Sequence, residues 1–293
     1  MKTVIVTGGA AGIGKETAKA FARQGNRVII ADIDEPAAAA TATEIALDGG
    51  QVLPYRLDVR SEDEWNIFGK HIAAEFGHAD ILVNNAGVMD LGGFVETDPA
   101  GWQRMIDICL MSIVYGSKVF GQQMIDGRVN GHIVNVSSAA AFLPSELDAA
   151  YGVAKSAVFM ASQSLRIELR QHGIGVTTIC PGIIRTNLLR NGRRNGLSDD
   201  ELASWNAGAG AAQTQLGISG PDKVARRIVK AVDKNWAVVP VNPEAWLAYY
   251  ASRVSPGAVR AATSLGGFGL MEGLLRAATP LINRLAERQE SIK

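Results

Sequence analysis

Residues 3–14 read TVIVTGGAAGIG, an apolar run, TVIVT (3–7), followed by a turn with glycines at 8, 9, 12 and 14. β-Branched residues in an unbroken run suit a strand that is buried on both faces. Glycines between a strand and a helix let backbone approach a ligand closely, and the helix N-terminus behind them offers unpaired N–H groups to an anion. The segment that follows, KETAKAFARQG (15–25), has helical spacing. Strand, glycine turn and helix in that order predict a dinucleotide-binding βα unit, with Gly8, Gly12, Ile13 and Gly14 around the diphosphate.

The same alternation continues outward from this unit. RVIIAD (27–32), VLPYRLDV (52–59), DILVNNAG (80–87), HIVNVSS (132–138), GVTTICPG (175–182) and WAVVPV (236–241) read as further buried strands. Helix-length segments lie between them, the longest being WQRMIDICLMSIVYGSKVFGQQMI (102–125). Alternating β and α predicts an α/β fold: a doubly wound parallel sheet of about seven strands with helices on both faces. No repeat or linker divides the 293 residues, so one domain over 1–293 is expected. Residues 188–218, rich in Gly, Asn, Arg and Ser, predict a substrate loop or lid, with a short helix around DDELASW. Residues 243–293 predict a helical C-terminal extension that packs on the domain or on another copy.

Composition narrows the partners. Lys plus Arg and Asp plus Glu balance at 29 each, and no basic block longer than a short pair such as Arg193, Arg194 stands out, which argues against nucleic acid. The two cysteines, Cys109 and Cys180, and four scattered histidines have no metal-ligand spacing, so no metal is expected. Reduced thiols suit the cytoplasm. The apolar run before the glycine turn is only the five residues TVIVT (3–7), too short for a signal peptide, and no stretch approaches about 20 apolar residues, so membrane association is not expected.

The polar residues gather at strand ends, where open α/β sheets bind ligands. Asp32 closes the second strand, where a carboxylate accepts from ribose hydroxyls and repels a 2′-phosphate. Ile33 beside it and Ala11 in the glycine turn supply no cation for such a phosphate, so NAD is favoured over NADP. Asp58 and Val59 end the third strand, and Asn84, Asn85, Ala86 and Gly87 the fourth, a wall for the adenosine half. Ser138 ends the fifth strand, and Tyr151 opens the next helix with Lys155 one turn on. A phenol of pKa about 10 is a poor base at neutral pH, and a neighbouring ammonium together with a positive nicotinamide favours the phenolate. Tyr151 and Lys155 read as an acid–base pair, with Ser138 holding the substrate oxygen.

These residues together resemble the short-chain dehydrogenase/reductase family over residues 3 to 190. Its motifs are met by TGGAAGIG, NNAG, Ser138, YGVAK (151–155) and Pro181-Gly182. The resemblance implies a Rossmann-type fold, hydride exchange between nicotinamide and a secondary alcohol or ketone, and a homodimer or homotetramer. It implies Tyr151 as general acid/base, Lys155 on the nicotinamide ribose, and Ser138 on the carbonyl. It also implies that PGIIRT (181–186) walls the nicotinamide, through Pro181, Gly182, Ile184 and Thr186. One position departs: where the family carries an asparagine that holds a proton-relay water, this chain has Cys109 in IDICLMS. A thiol replaces an amide poorly as a hydrogen-bonding group.

Met89, Leu91, Phe94, Phe142, Leu143, Leu188 and Leu189 are expected to flank the substrate, which predicts an apolar alcohol or ketone. Two other readings stay open. One is a sugar-nucleotide epimerase or dehydratase, which the glycine spacing disfavours. The other is a cofactor-binding scaffold or redox sensor, which the intact Ser–Tyr–Lys set disfavours.

Overall fold

The computed structural model describes residues 1–186, 188, 192–193 and 219–265. Seven strands form one parallel sheet in the order β3-β2-β1-β4-β5-β6-β7. They are β1 (Thr3–Thr7), β2 (Arg27–Asp32), β3 (Gln51–Arg56), β4 (Ile81–Asn84), β5 (His132–Val136), β6 (Gly175–Cys180) and β7 (Val238–Pro240). The helices are α1 (Gly12–Arg23), α2 (Glu35–Leu47), α3 (Glu62–Phe76), α4 (Pro99–Ile106), α5 (Ser112–Asp126), α6 (Ala149–Leu169), α7 (Pro221–Lys234), α8 (Pro243–Val254) and α9 (Pro256–Leu265).

The unbroken apolar runs exist because alternate residues of each strand feed two separate cores. Val4, Val6, Val28, Ile30, Ile81 and Val83 pack with Phe21 of α1, Ile45 of α2 and Ile228 of α7 on one face. Ile5, Ile29, Leu82 and Ile133 pack on the other face with Trp65 and Phe68 of α3, Phe120 and Met124 of α5, and Leu169 of α6. Ile5 is fully buried, and truncating such a side chain to alanine costs about 2–5 kcal/mol.

Three expectations change. β3 is not buried on both faces: it is the edge of the sheet, and Gln51, Leu53, Pro54 and Arg56 are exposed. Pro54 is tolerated there because an edge strand can lose a ladder donor. Secondly, several strands stop short of the motifs attached to them. β3 ends at Arg56 and β5 at Val136, so Asp58, Val59 and Ser138 stand on the loops beyond. Thirdly, 102–125 is not one continuous helix. α4 starts at Pro99 with Asp98 capping it, and a π-helical turn, Asp107–Met111, separates it from α5. Such turns carry one residue more than the α repeat and are frequent at functional sites.

Reversal of strand order falls between β1 and β4, whose carboxyl ends open the crevice where such sheets bind ligands.

Candidate active site

The glycine turn lies at that crevice. Gly8 and Gly12 have φ of +60° and +54°, backbone that a side chain rarely adopts. A Cβ built on Gly14 would overlap the carbonyl oxygen of Gly8, so the turn closes only with glycine there. No side chain caps α1 and its first turn carries no acid, so its leading N–H groups face the crevice with no competing anion. Ile13 packs its side chain against the first core. These features fit a diphosphate. Thr7 ties the two strand ends together, its hydroxyl accepting from Asn85 N–H at 2.9 Å and Ala86 N–H at 3.0 Å. Asn85 returns its amide to the carbonyls of Thr7 and Gly8.

Asp32 is held in place from both sides, accepting from Ala10 N–H at 3.0 Å and Asp34 N–H at 3.1 Å. Ile33 next to it is exposed. Capping of α2 falls to Asp34, which leaves the Asp32 carboxylate for another task. Asp58 lies on the loop after β3, gripped by the Arg60 guanidinium, which holds its carboxyl below the usual range. Val59 is buried, and its carbonyl accepts the indole N–H of Trp65.

Ser138 caps the short turn Ala139–Phe142, its hydroxyl accepting from Ala140 N–H at 3.2 Å. α6 begins at Ala149, so Tyr151 is its third residue and Lys155 follows one turn later on the same face. Both are buried. Lys155 Nζ donates to the carbonyl of Val136 at 2.9 Å and lies 5.7 Å from the centre of the Tyr151 ring. A Cβ built on Gly87 would stand 3.6 Å from that ammonium and 3.8 Å from Cys109 Sγ, which places Gly87 beside both groups. Cys109 occupies the π turn, fully buried, its thiol 3.4 Å from the carbonyl of Val88.

Electrostatics differ from expectation at Tyr151. Burial pushes the phenol above its ordinary value and the nearby Cys109 adds to the rise, while a hydrogen bond with Ser138 draws it down. The expected lowering by Lys155 does not prevail in the chain by itself. The other positive charge in that expectation belongs to the cofactor, not to the protein.

Met89 and Leu188 pack against the cluster of Met105, Cys109 and Tyr151, together with Trp102 and Ala140. Leu91 donates its N–H to the carbonyl of Arg193 at 2.8 Å. Phe94 is exposed, edge-on to Trp102 at 4.9 Å between ring centres. Phe142 points its ring elsewhere, edge-on to Phe159 and Tyr249, and Leu143 packs on the same cluster. Leu189, and the expected lid over 188–218 apart from Leu188 and residues 192–193, lie outside the described residues, as does the helix around DDELASW.

The segment 181–186 crosses the mouth of the crevice. Pro181 accepts from Ala139 N–H at 2.8 Å, next to Ser138, and Thr186 reaches the glycine turn, 3.6 Å from a Cβ built on Gly12. Ile184 is buried in the first core and pairs with Ser219. Sequence reasoning missed the partners of this segment: Glu244 accepts from Ile183 N–H, and Asn242 beside it is fully buried.

The short chain dehydrogenase family model matches residues 2–196. Among curated proteins the chain is 43% identical over 263 residues to the probable oxidoreductase EphD of Mycobacterium tuberculosis, covering 89% of this chain and 44% of that protein. The chain thus spans less than half the length of that relative. It is 35% identical to the 2,5-dichloro-2,5-cyclohexadiene-1,4-diol dehydrogenase LinX of Sphingobium indicum, over 65% of this chain and 76% of LinX. A solved short chain dehydrogenase/reductase from Burkholderia phymatum, in complex with NAD, superimposes with a TM-score of 0.79 at 24% identity, over 89% of this chain and 95% of that one, which shows the shared fold. With a family match over two-thirds of its length and the glycine turn, Ser138, Tyr151 and Lys155 gathered at one crevice, this chain belongs to the short chain dehydrogenase/reductase family of oxidoreductases.

Proposed function

We propose that this oxidoreductase exchanges hydride between NAD and an apolar secondary alcohol or ketone, with Tyr151 as the acid/base. The observation that carries the reading is a buried Tyr151 hydrogen-bonded to Ser138, with the ammonium of Lys155, one helical turn on, 5.7 Å from the centre of its ring. NAD held along Gly8, Gly12, Ile13 and Gly14, with its ribose on Asp32, supplies the two-electron exchange.

Each side chain then has one task. Ser138 holds the substrate oxygen, Tyr151 takes the alcohol proton in one direction and returns it in the other, and Lys155 binds the ribose hydroxyls and favours phenolate. A phenol raised by burial holds its proton at neutral pH, which suits ketone reduction; alcohol oxidation needs that proton removed and gains from alkaline pH.

Met89, Leu188 and Trp102 around Tyr151 favour an apolar ring over a polyol. A relative named for a chlorinated cyclohexadienediol points to the same alicyclic class. Val153, Met160 and Ile167, exposed on α6 at seven-residue spacing, support a homo-oligomer that covers this stripe. Both cysteines are free and buried, in keeping with a reducing compartment.

The test is a panel of alicyclic, aromatic and polyol secondary alcohols with NAD, followed at the absorbance band of the reduced nicotinamide. Turnover of alicyclic alcohols supports the reading. A chain that turns over only polyols contradicts the substrate class, and one that reduces no nicotinamide with any alcohol contradicts the reaction.

A further inference from the structure

Gly182 needs no positive φ, and a Cβ there would overlap Oε1 of Glu244, so a side chain at 182 could be seated only by moving that carboxylate. Glu244 lies in the first turn of α8, beyond the stretch that the family model matches. Its Oε1 accepts from the N–H of Ile183 at 3.3 Å and from the side-chain amide of Asn242 at 2.9 Å. Asn242 is fully buried, and its own oxygen accepts from the hydroxyl of Ser219 at 3.1 Å. The backbone of Ser219 closes the circuit, its carbonyl accepting from Arg185 N–H at 2.9 Å.

We infer that Glu244 is a positioning residue for the nicotinamide half of the cofactor, fixing the segment 181–186 through the Ile183 N–H. The inference rests on the cofactor reading above. That segment spans the distance from Ser138, by way of Pro181 and Ala139, to the glycine turn at Gly12, which is the interval between the substrate oxygen and the diphosphate. Its two ends are tied to the sheet and to the glycine turn, and its middle is tied to the start of α8, to Ser219 and, through Ile184, to the first core. A first-turn acid is favoured on any helix by the helix dipole, which by itself explains a carboxylate at this position. It does not explain why the carboxylate reaches across the bare position 182 to a backbone N–H of the cofactor wall.

The experiment measures, by calorimetry, the binding of NADH and of ADP-ribose to the full chain and to Glu244→Ala, Glu244→Asp and Glu244→Gln. ADP-ribose keeps the adenosine and diphosphate and lacks nicotinamide. Glu244→Ala is expected to weaken NADH about tenfold and leave ADP-ribose within about twofold. Gln keeps an acceptor at the same reach and should restore NADH binding, whereas Asp is one methylene short and should not. Unchanged NADH affinity in Glu244→Ala, or equal weakening of both ligands, overturns the inference. Should the alanine variant fail to fold, the contrast between Asp and Gln decides: equal NADH affinities in those two also overturn it. A wild-type chain that binds neither ligand defeats the cofactor reading and this inference with it, whereas a wild-type chain that binds both isolates the role of Glu244.

Discussion

The ammonium of Lys155 donates to the backbone carbonyl of Val136, 2.9 Å away, at the point where β5 ends. One bond thereby locks the lysine of α6 to the central sheet, next to Gly87. The carbonyl fixes the charge in position, and Ser137 holds the backbone of Lys155 from the other side at 2.8 Å. A rigid cation beside a buried phenol is what the acid–base reading requires.

Cofactor choice should follow Asp32. Its carboxylate is pinned by Ala10 and Asp34, and the exposed Ile33 offers no cation. NAD should bind more tightly than NADP by about tenfold or more, for repulsion of about 2 kcal/mol. Asp32→Ala combined with Ile33→Arg should move the preference toward NADP. Calorimetric affinities for the two nucleotides check this, and equal values in the wild type contradict it.

Acid stability should depend on His132. Its Nε2 meets Thr177 Oγ1 at 2.8 Å, and Thr177 spends its own proton on the carbonyl of Trp236, so the ring donates from Nε2. Burial, with Arg166 and Lys2 adding repulsion, pushes the ring down to about 4 from 6.5. The unfolded chain therefore binds the proton first, so this contribution is full above pH 6.5 and is lost as pH falls toward 4. The loss between pH 7 and 5 should be about 2 kcal/mol. Urea unfolding at both pH values measures it, and His132→Gln should flatten the dependence. An unflattened dependence in the variant assigns the loss to other groups.

The exposed stripe on α6 should be an interface. Met160 is 64% exposed between Val153 and Ile167. Met160→Glu should lower the mass seen by light scattering to that of a single chain without lowering the melting temperature of the fold by more than a few degrees. A wild-type chain that is already single contradicts the homo-oligomer.

Much of this was readable from the residues. TVIVT and RVIIAD match β1 and β2 to the residue, because each alternates between two buried cores and each is bounded by polar or glycine turns. The π turn at Asp107–Met111 was not readable, since ICLMSIV (108–114) is apolar on nearly every face and hides the change of phase that one extra residue makes. The edge position of β3 was hidden for a related reason: VLPYRL is apolar enough for an interior strand, and only sheet order reveals that it has one neighbour. Glu244 and Asn242 lie some sixty residues from the loop they hold, and nothing local marks them. Phe142 reads as a pocket residue by proximity to Ser138, and only the structure turns its ring toward Tyr249.

Cys109 should be a packing residue. It is fully buried in the π turn, against Val88 and Tyr151. Cys109→Asn inserts a larger polar group there and should destabilise by about 1–3 kcal/mol, seen as a lower melting temperature. Cys109→Ala should keep the shape of the pH–rate profile, and loss of its acid or alkaline limb would show that the thiol carries protons.

In the proposed reaction Tyr151 moves the substrate proton while Lys155 serves both the phenol and the cofactor. The most direct measurement compares single-turnover oxidation of an alicyclic alcohol, with NAD saturating, in wild type and Tyr151→Phe, alongside NADH affinity for each and for Lys155→Ala. A rate loss of about a hundredfold or more is expected in Tyr151→Phe with NADH affinity unchanged, and a loss of both in Lys155→Ala. A Tyr151→Phe variant that retains a tenth or more of the wild-type rate contradicts proton transfer by Tyr151.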